Sequence, residues 1–260
     1  MASPATGYDP DPPGADPPPP IYMEAVTVCD GYHDYLRYTL PHNKPHFDHM
    51  VVVTSYEDKA TQRICEFNEV ECLKTDRIES RKGVFCKGCG INDGLKALKM
   101  KGWMVHIDAD IALPPRTRDL IQRANLNPAM IYGIDRFIVK GATAWHAFLE
   151  MPALQHECDS YVHLNAFPMG TRFMQPRVAG YVPIGFFQLW NPLVSKVKRY
   201  FESNTDAGRT DQLFASRWPR AMRGFIPELV GYHLETDDSG FGANWKGRVT
   251  SPFSIISKEK

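Results

Sequence analysis

The chain has 260 residues, enough for one large domain or two small ones with a sizeable core. Thirty basic and thirty acidic residues cancel, which argues against an electrostatic nucleic-acid binder and leaves only a local basic patch open. No apolar run approaches the ~20 residues of a transmembrane helix, and the N-terminus has no basic-plus-apolar signal peptide, so a soluble cytoplasmic protein is expected.

Residues 1–22 form a proline-rich tail, with eight prolines in the first twenty positions, and are too poor in apolar side chains to fold. Order is expected from Met23. Ala25–Cys29 reads as a first strand, and Asp30-Gly31 as a turn. Tyr32–Leu40 has helical spacing and should stop before Pro41. His49–Thr54 reads as a second, buried strand. Lys59–Asn68 reads as a short amphipathic helix with Ile64, Cys65 and Phe67 inward. Val70–Leu73 is a third strand. Gly90–Met100 is a helix with Ile91, Leu95 and Leu98 on one stripe.

Val105–Ile107 is a fourth strand and delivers Asp108 and Asp110. Thr117–Ala124 follows as a helix after Pro114-Pro115, and Met130–Ile134 is a further strand. Beyond it, residues 141–160 look helical, and residues 178–191 mix glycine with aromatics. Thr210–Trp218 is a helix with Thr210 as N-cap. Residues 235–248 form a polar, glycine-rich loop, of the kind that serves as a lid. Alternating strands and helices imply an α/β domain with a mostly parallel sheet, whose ligands bind outside the carboxyl ends of the strands.

Six cysteines are present, including the pair Cys86-Lys-Gly-Cys89. No second Cys-x-x-Cys or His-x-x-x-His accompanies it to complete a zinc site. Reduced thiols are the expectation for a cytosolic chain. Gly88, Gly90 and Gly94 do not match the Gly-x-Gly-x-x-Gly dinucleotide pattern.

The sharpest chemical signal is Asp108-Ala-Asp110. On a strand, side chains alternate faces, so acids at i and i+2 point the same way. Two carboxylates at a strand end suit a hard divalent cation such as Mg2+ or Mn2+, which can hold and neutralise a diphosphate. The plain alternative is two solvated acids in a strand–helix turn.

The order of these features resembles the GT-A glycosyltransferases, and most of all the family 2-like enzymes, including small ones of bacteriophages and bacteria. The resemblance rests on Lys87-Gly-Cys-Gly-Ile-Asn92-Asp-Gly94, on His106-Ile-Asp-Ala-Asp110 and on the late Val230-Gly-Tyr-His233-Leu-Glu235. It spans roughly residues 23–250. It implies a single GT-A (Rossmann-like) α/β domain at 23–255, with a nucleotide-binding half at 23–135 and an acceptor-binding half at 136–255. It also implies a metal-dependent enzyme moving a sugar from a nucleotide-sugar donor, UDP-linked by expectation, to an acceptor hydroxyl with inversion.

Residue by residue, the resemblance places Val28, Asp30, Thr54 and Asp76 at the base. Lys87 and Asn92 face the nucleotide, and a lysine there is a point charge suited to phosphate. Asp110 and His233 are implied metal ligands. Asp108 is implied at the ribose, the metal or its bound water. Asp211, in Arg209-Thr-Asp211, is the candidate base, kept ionised by the start of its helix. The family more often has Glu-Asp there. Lys246 and Arg248 are implied at the leaving diphosphate, and Gly180–Trp190 at the acceptor, although core packing is the better reading for Phe186 and Phe187. His106 reads as a packed, satisfied histidine.

The acceptor stays open between a modified DNA base, as in a phage context, and a saccharide, lipid-linked sugar or protein. The rival readings are a nucleotidyltransferase using the same acids and a non-catalytic nucleotide-sugar binder. The segment 26–36 lacks the glycine-rich basic grip on a triphosphate that the first rival needs.

Overall fold

The computed structural model describes residues 20–78, 85–150, 186–202, 207–240 and 243–254. The proline-rich residues 1–19, the second half of the 141–160 helix, and Gly180, Tyr181 and Gly185 lie outside that set.

Eight strands form one sheet: β1 (Met23–Val28), β2 (His49–Thr54), β3 (Glu71–Lys74), β4 (Trp103–Ile107), β5 (Ile111–Ala112), β6 (Ile131–Lys140), β7 (Phe187–Trp190) and β8 (Arg223–Glu235). Their order across the sheet is β3-β2-β1-β4-β7-β6-β8-β5. β1 to β4, β6 and β8 run one way, and β7 and β5 run against them. The expected α/β domain with a mostly parallel sheet and flanking helices is what forms.

The strands read as continuous apolar runs because both faces of the sheet are covered. Met23, Ala25, Met50, Val52, Trp103, Val105 and Ile107 face one core, shared with Leu36 and Leu40 of α1 (His33–Asn43), Cys65 of α2 (Lys59–Phe67) and Ile121 of α4 (Thr117–Arg123). Val26, Val28, Val51, Val53 and Met104 face the opposite core. There they meet Ile91 and Leu95 of α3 (Lys87–Ala97) and Phe214 of a helix at Ala207–Ala215. A third cluster joins Phe137, Val139, Val230 and Tyr232 to Trp145 and Phe148 of α5 (Ala142–Leu149). A short helix, α6 (Pro192–Ser195), precedes Ala207–Ala215, which is α7. Among the described residues no helix is long and apolar enough to cross a membrane.

Several local expectations shift. Helix α1 continues through Pro41 to Asn43. The proline forfeits one hydrogen bond near the helix end, and Asn43 anchors that end to the β5 segment by donating its side-chain amide to Ile111 O at 2.7 Å and accepting from Leu113 N at 2.9 Å. Phe67 is 88% exposed, because α2 buries Thr61 and Cys65, one turn apart, and Phe67 lies off that stripe. Strand β8 was not foreseen, since Pro227 breaks its pattern. The register against β6 slips between Ile134 and Asp135, where Ile134 pairs with Ile226 and Asp135 with Val230. That irregularity absorbs the proline, which has no N–H for the ladder.

Helix α3 starts at Lys87, three residues before the expected Gly90, so Gly88, Gly90 and Gly94 all lie inside it. They let the helix press onto its neighbours. A Cβ on Gly94 would meet a Val26 methyl at 2.4 Å and a Val53 methyl at 2.8 Å, and one on Gly88 would meet Phe201 O at 2.1 Å. Cys86 and Cys89 are joined as a disulfide across the first turn of α3, with Cα atoms 5.4 Å apart. This corrects the expectation of reduced thiols there, and the separation lies within the ordinary bridging range. Gly94→Ala should lower unfolding stability by about 1–3 kcal/mol through overpacking. Urea titration of the purified variant measures it, and an unchanged midpoint would show that α3 can back away from the sheet.

Candidate active site

Strand order reverses at β1 and β4, because β2 and β3 lie on one side of β1 and β4 lies on the other. Parallel sheets open a crevice at such a point, outside the carboxyl ends of the strands. A cavity of 530 Å³ sits there, within the range of small-molecule sites. Val28, Asp30, Lys87, Asp108, Asp110, His233, Lys246 and Arg248 of the expected set line it. Thr54, Asp76, Asn92 and Asp211 do not.

β4 ends at Ile107, so Asp108 and Asp110 are not on a strand. They belong to a turn closed by Ile111 N donating to Asp108 O at 3.2 Å. Both carboxylates still face the cavity, but the turn aims them there and strand alternation does not.

Asp108 meets Lys87. The Lys87 ammonium lies 2.7 Å from Asp108 Oδ1 and 2.9 Å from Asp211 Oδ2, and its side chain is 7% exposed. Burial alone would depress the lysine's pKa, but the two carboxylates outweigh it and raise the value above that of an ordinary lysine. Burial raises the pKa of Asp108, with Lys87 opposing. Lys87 was expected as a free charge for phosphate. It is an ion-paired lysine at the cavity wall.

Asp110 meets His233. β5 pairs with β8 so that Ile111 lies opposite His233, and Leu234 N donates to Asp110 O at 2.8 Å. His233 Nε2 then lies 3.2 Å from Asp110 Oδ2. Burial would raise the pKa of Asp110, but His233 and Arg136 overcome it and the net shift is downward. The neighbouring acids of one motif therefore sit in opposite electrostatic surroundings.

A divalent cation fits this corner of the cavity on one observation: Asp110 Oδ1 is buried without a hydrogen-bond partner, beside an imidazole nitrogen. Among the described residues, no three His, Cys, Asp or Glu side chains are gathered closely enough to hold a metal by themselves. Asp110 and His233 are the two side chains available to a cation that takes its remaining ligands from phosphate and water, as Mg2+ commonly does.

Asp211 lies on α7, which begins at Ala207. Thr210 is therefore inside the helix and not its N-cap, and Asp211 lies beyond the first turn. Helix-end stabilisation of its charge does not apply. Burial instead raises its pKa, with Lys87 opposing. The helix is held by Gln188 Nε2 donating to Asp211 O at 3.1 Å and by Tyr200 stacked on Phe214. Asp211 Oδ1 is buried and unpartnered.

Other expected residues have structural employment. Asn92, expected at the nucleotide, donates to Tyr200 O and Glu202 Oε1, both at 3.0 Å, and accepts from Tyr200 N at 2.7 Å. Its amide is consumed in clasping α3 to the segment before α7. Thr54 is buried at the end of β2, and Asp76 is exposed. Arg248, expected at the diphosphate, donates to Asp34 Oδ2 at 2.7 Å and to Gly31 O at 3.1 Å, over the rings of Tyr32 and Tyr35. It latches the 243–250 loop onto α1, although it also lines the cavity. Lys246 and Trp245 are exposed on the rim. His106 is packed against Tyr200 with Nε2 3.4 Å from Asp108 Oδ1, and neither ring nitrogen makes a hydrogen bond. Phe186 and Phe187 are core, as expected.

The residues missed were Arg136, Tyr35 and Glu235, all lining the cavity. Glu235 was legible: His233 and Glu235 stand at i and i+2, the same spacing that drew attention to the aspartates.

No protein-family model matches the chain, and no curated protein sequence is significantly similar to it. Among solved structures, glucosyl-3-phosphoglycerate synthase from Mycobacterium tuberculosis, in complex with Mn2+, UDP and phosphoglyceric acid, is 14% identical. That alignment has a TM-score of 0.45 over 82% of this chain and 70% of the other. A mycobacterial protein aligns with 14% identity and a TM-score of 0.47 over 86% of this chain and 69% of its own. Mannosyl-3-phosphoglycerate synthase from Rubrobacter xylanophilus gives 15% and 0.38 over 66% and 54%. Similarity at this level assigns neither activity nor ligand.

Replacing Lys87 by Met would leave the buried Asp211 and the half-buried Asp108 without their cation. We expect a loss of about 3–5 kcal/mol in unfolding free energy at pH 7, measured by urea titration. A loss below about 1 kcal/mol would show that the acids hold without it.

Proposed function

We propose that the chain is a metal-dependent glycosyltransferase of the GT-A type, binding a nucleotide-sugar donor, UDP-linked by preference, in the cavity at the ends of β1 and β4. The observation that carries this reading is the meeting of Asp110 and His233 in the lining of a 530 Å³ cavity, with one buried Asp110 oxygen unpartnered. Mn2+ or Mg2+, when bound, would neutralise charge on the leaving diphosphate.

In this reading Val28 and Asp30 face the base, and Ser55 orients Asp30 by donating to its Oδ1. Asp108, held by Lys87, faces the ribose or a metal-bound water. Lys246 on the rim faces the diphosphate, and Arg248, which also lines the cavity, is engaged by Asp34. Asp211, buried behind Lys87 and outside the cavity lining, is the candidate proton acceptor: its Oδ1 is unpartnered, and burial raises its pKa. Lys87 stands between it and Asp108. Proton transfer to Asp211 accords with inversion. The acceptor lies between a saccharide and a modified DNA base. The zero net charge gives no support to strong DNA binding.

Thermal shift across a panel of nucleotide sugars, with and without Mn2+, tests the reading. One nucleotide class should stabilise the protein only with Mn2+, by about 3 kcal/mol at a hundredfold excess over Kd. Asp110→Ala should erase that response. No stabilisation by any nucleotide sugar with Mn2+ would overturn the assignment. Where turnover is found, Asp211→Asn should lower kcat by about 100- to 10,000-fold with donor binding kept.

A further inference from the structure

His233 sits between two carboxylates. Nε2 is 3.2 Å from Asp110 Oδ2, and Nδ1 is 3.4 Å from Glu235 Oε1. Nδ1 is buried and has no hydrogen-bond partner at the present separation. A neutral imidazole carries one N–H, so only one of the two flanks can be its donor side. Which nitrogen keeps the proton decides whether the other offers a lone pair.

Glu235 is itself held in place. Ser239 Oγ donates to its Oε2 at 2.8 Å, and its backbone carbonyl accepts from Gly141 N at 2.7 Å. The strand pairing sets Lys140 opposite Glu235 and Ile138 opposite His233, so both side chains leave the same face of β8. The side chain is 17% exposed, and Oε1 remains for the imidazole. No carboxylate other than these two is within ion-pair distance of His233 among the described residues.

We propose that Glu235 is a positioning residue: with a cation at Asp110, it would hold His233 in the Nδ1–H tautomer and so leave the Nε2 lone pair for that cation. The proposal rests on the donor-site reading for the presence of the cation. At 3.4 Å the Glu235 contact is long for a hydrogen bond. With Nε2 engaged by a cation, Nδ1–H would be the stronger donor to Glu235. Carboxylates that orient metal-binding histidines in this way commonly govern affinity from outside the coordination sphere.

The test uses the full chain with saturating UDP, which supplies the phosphate ligands that Asp110 and His233 leave open. Mn2+ binding is titrated by electron paramagnetic resonance, and long-range 1H–15N correlation of the imidazoles is recorded with and without Mg2+. Wild type should bind Mn2+ and show His233 protonated on Nδ1 once Mg2+ is present. Glu235→Ala should weaken Mn2+ binding about 10- to 100-fold and shift His233 toward the Nε2–H tautomer. Glu235→Gln, whose amide oxygen still accepts from Nδ1–H, should recover most of the affinity and the tautomer. If Glu235→Ala does not fold, Ser239→Ala loosens the same carboxylate, and weaker Mn2+ binding is again expected. Binding unchanged in the Glu235 and Ser239 variants, but lost in Asp110→Ala, would overturn the proposal and leave the donor-site reading intact. Equal Mn2+ binding by wild type and Asp110→Ala, or none by wild type, would overturn both.

Discussion

One ammonium group organises the cavity. Lys87 is buried between Asp108, at the cavity wall, and Asp211, 124 positions from the lysine, and its charge is held there by both carboxylates. The lysine reaches them because α3 lies almost in contact with β1 and β2, and it lies there because Gly90 and Gly94 present no side chain to Val28, Val26 and Val53. The glycines of this motif serve packing and not phosphate. They bring a charge to the right depth, and the disulfide between Cys86 and Cys89 closes the turn that carries it.

A second tie is independent of the first. The pairing of β5 with β8 sets Asp110 against His233, and the backbone bond from Leu234 to Asp110 fixes that register. The two ties give the two aspartates different chemistry. Burial holds the first acid's pKa high, and the imidazole and Arg136 pull the second one down. Paired carboxylates separated in this way can divide their labour, one keeping charge for a cation and the other held by a lysine.

Much of this was legible in the residues, for identifiable reasons. The apolar runs of β1, β2 and β4 announce themselves because both faces are buried. The acidic pair sits where a strand stops, so its location survives even though a turn, and not strand alternation, aims it. What escaped depends on distant partners. Strand β8 carries a proline that only a register slip against β6 can house. Helix α7 is described from Ala207, three residues before the threonine, so Asp211 lies away from the helix end, and burial raises its pKa. Asn92 and Arg248 look like ligand contacts in a list of polar residues. Their roles as clasps appear only once Tyr200 and Asp34 are beside them.

The latch between Arg248 and α1 has a consequence for how the protein assembles. Arg248 joins Gly31 across 217 positions, and Lys87 joins Asp211 across 124. Contacts of such sequence separation close the largest loops and form late in folding. The first strands and their helices can gather into a core from local contacts, while the cavity waits for the last segment of the chain to return. A chain cut short before β8 would keep β1 to β4 and their helices but lose His233, Lys246 and Arg248 from the cavity wall.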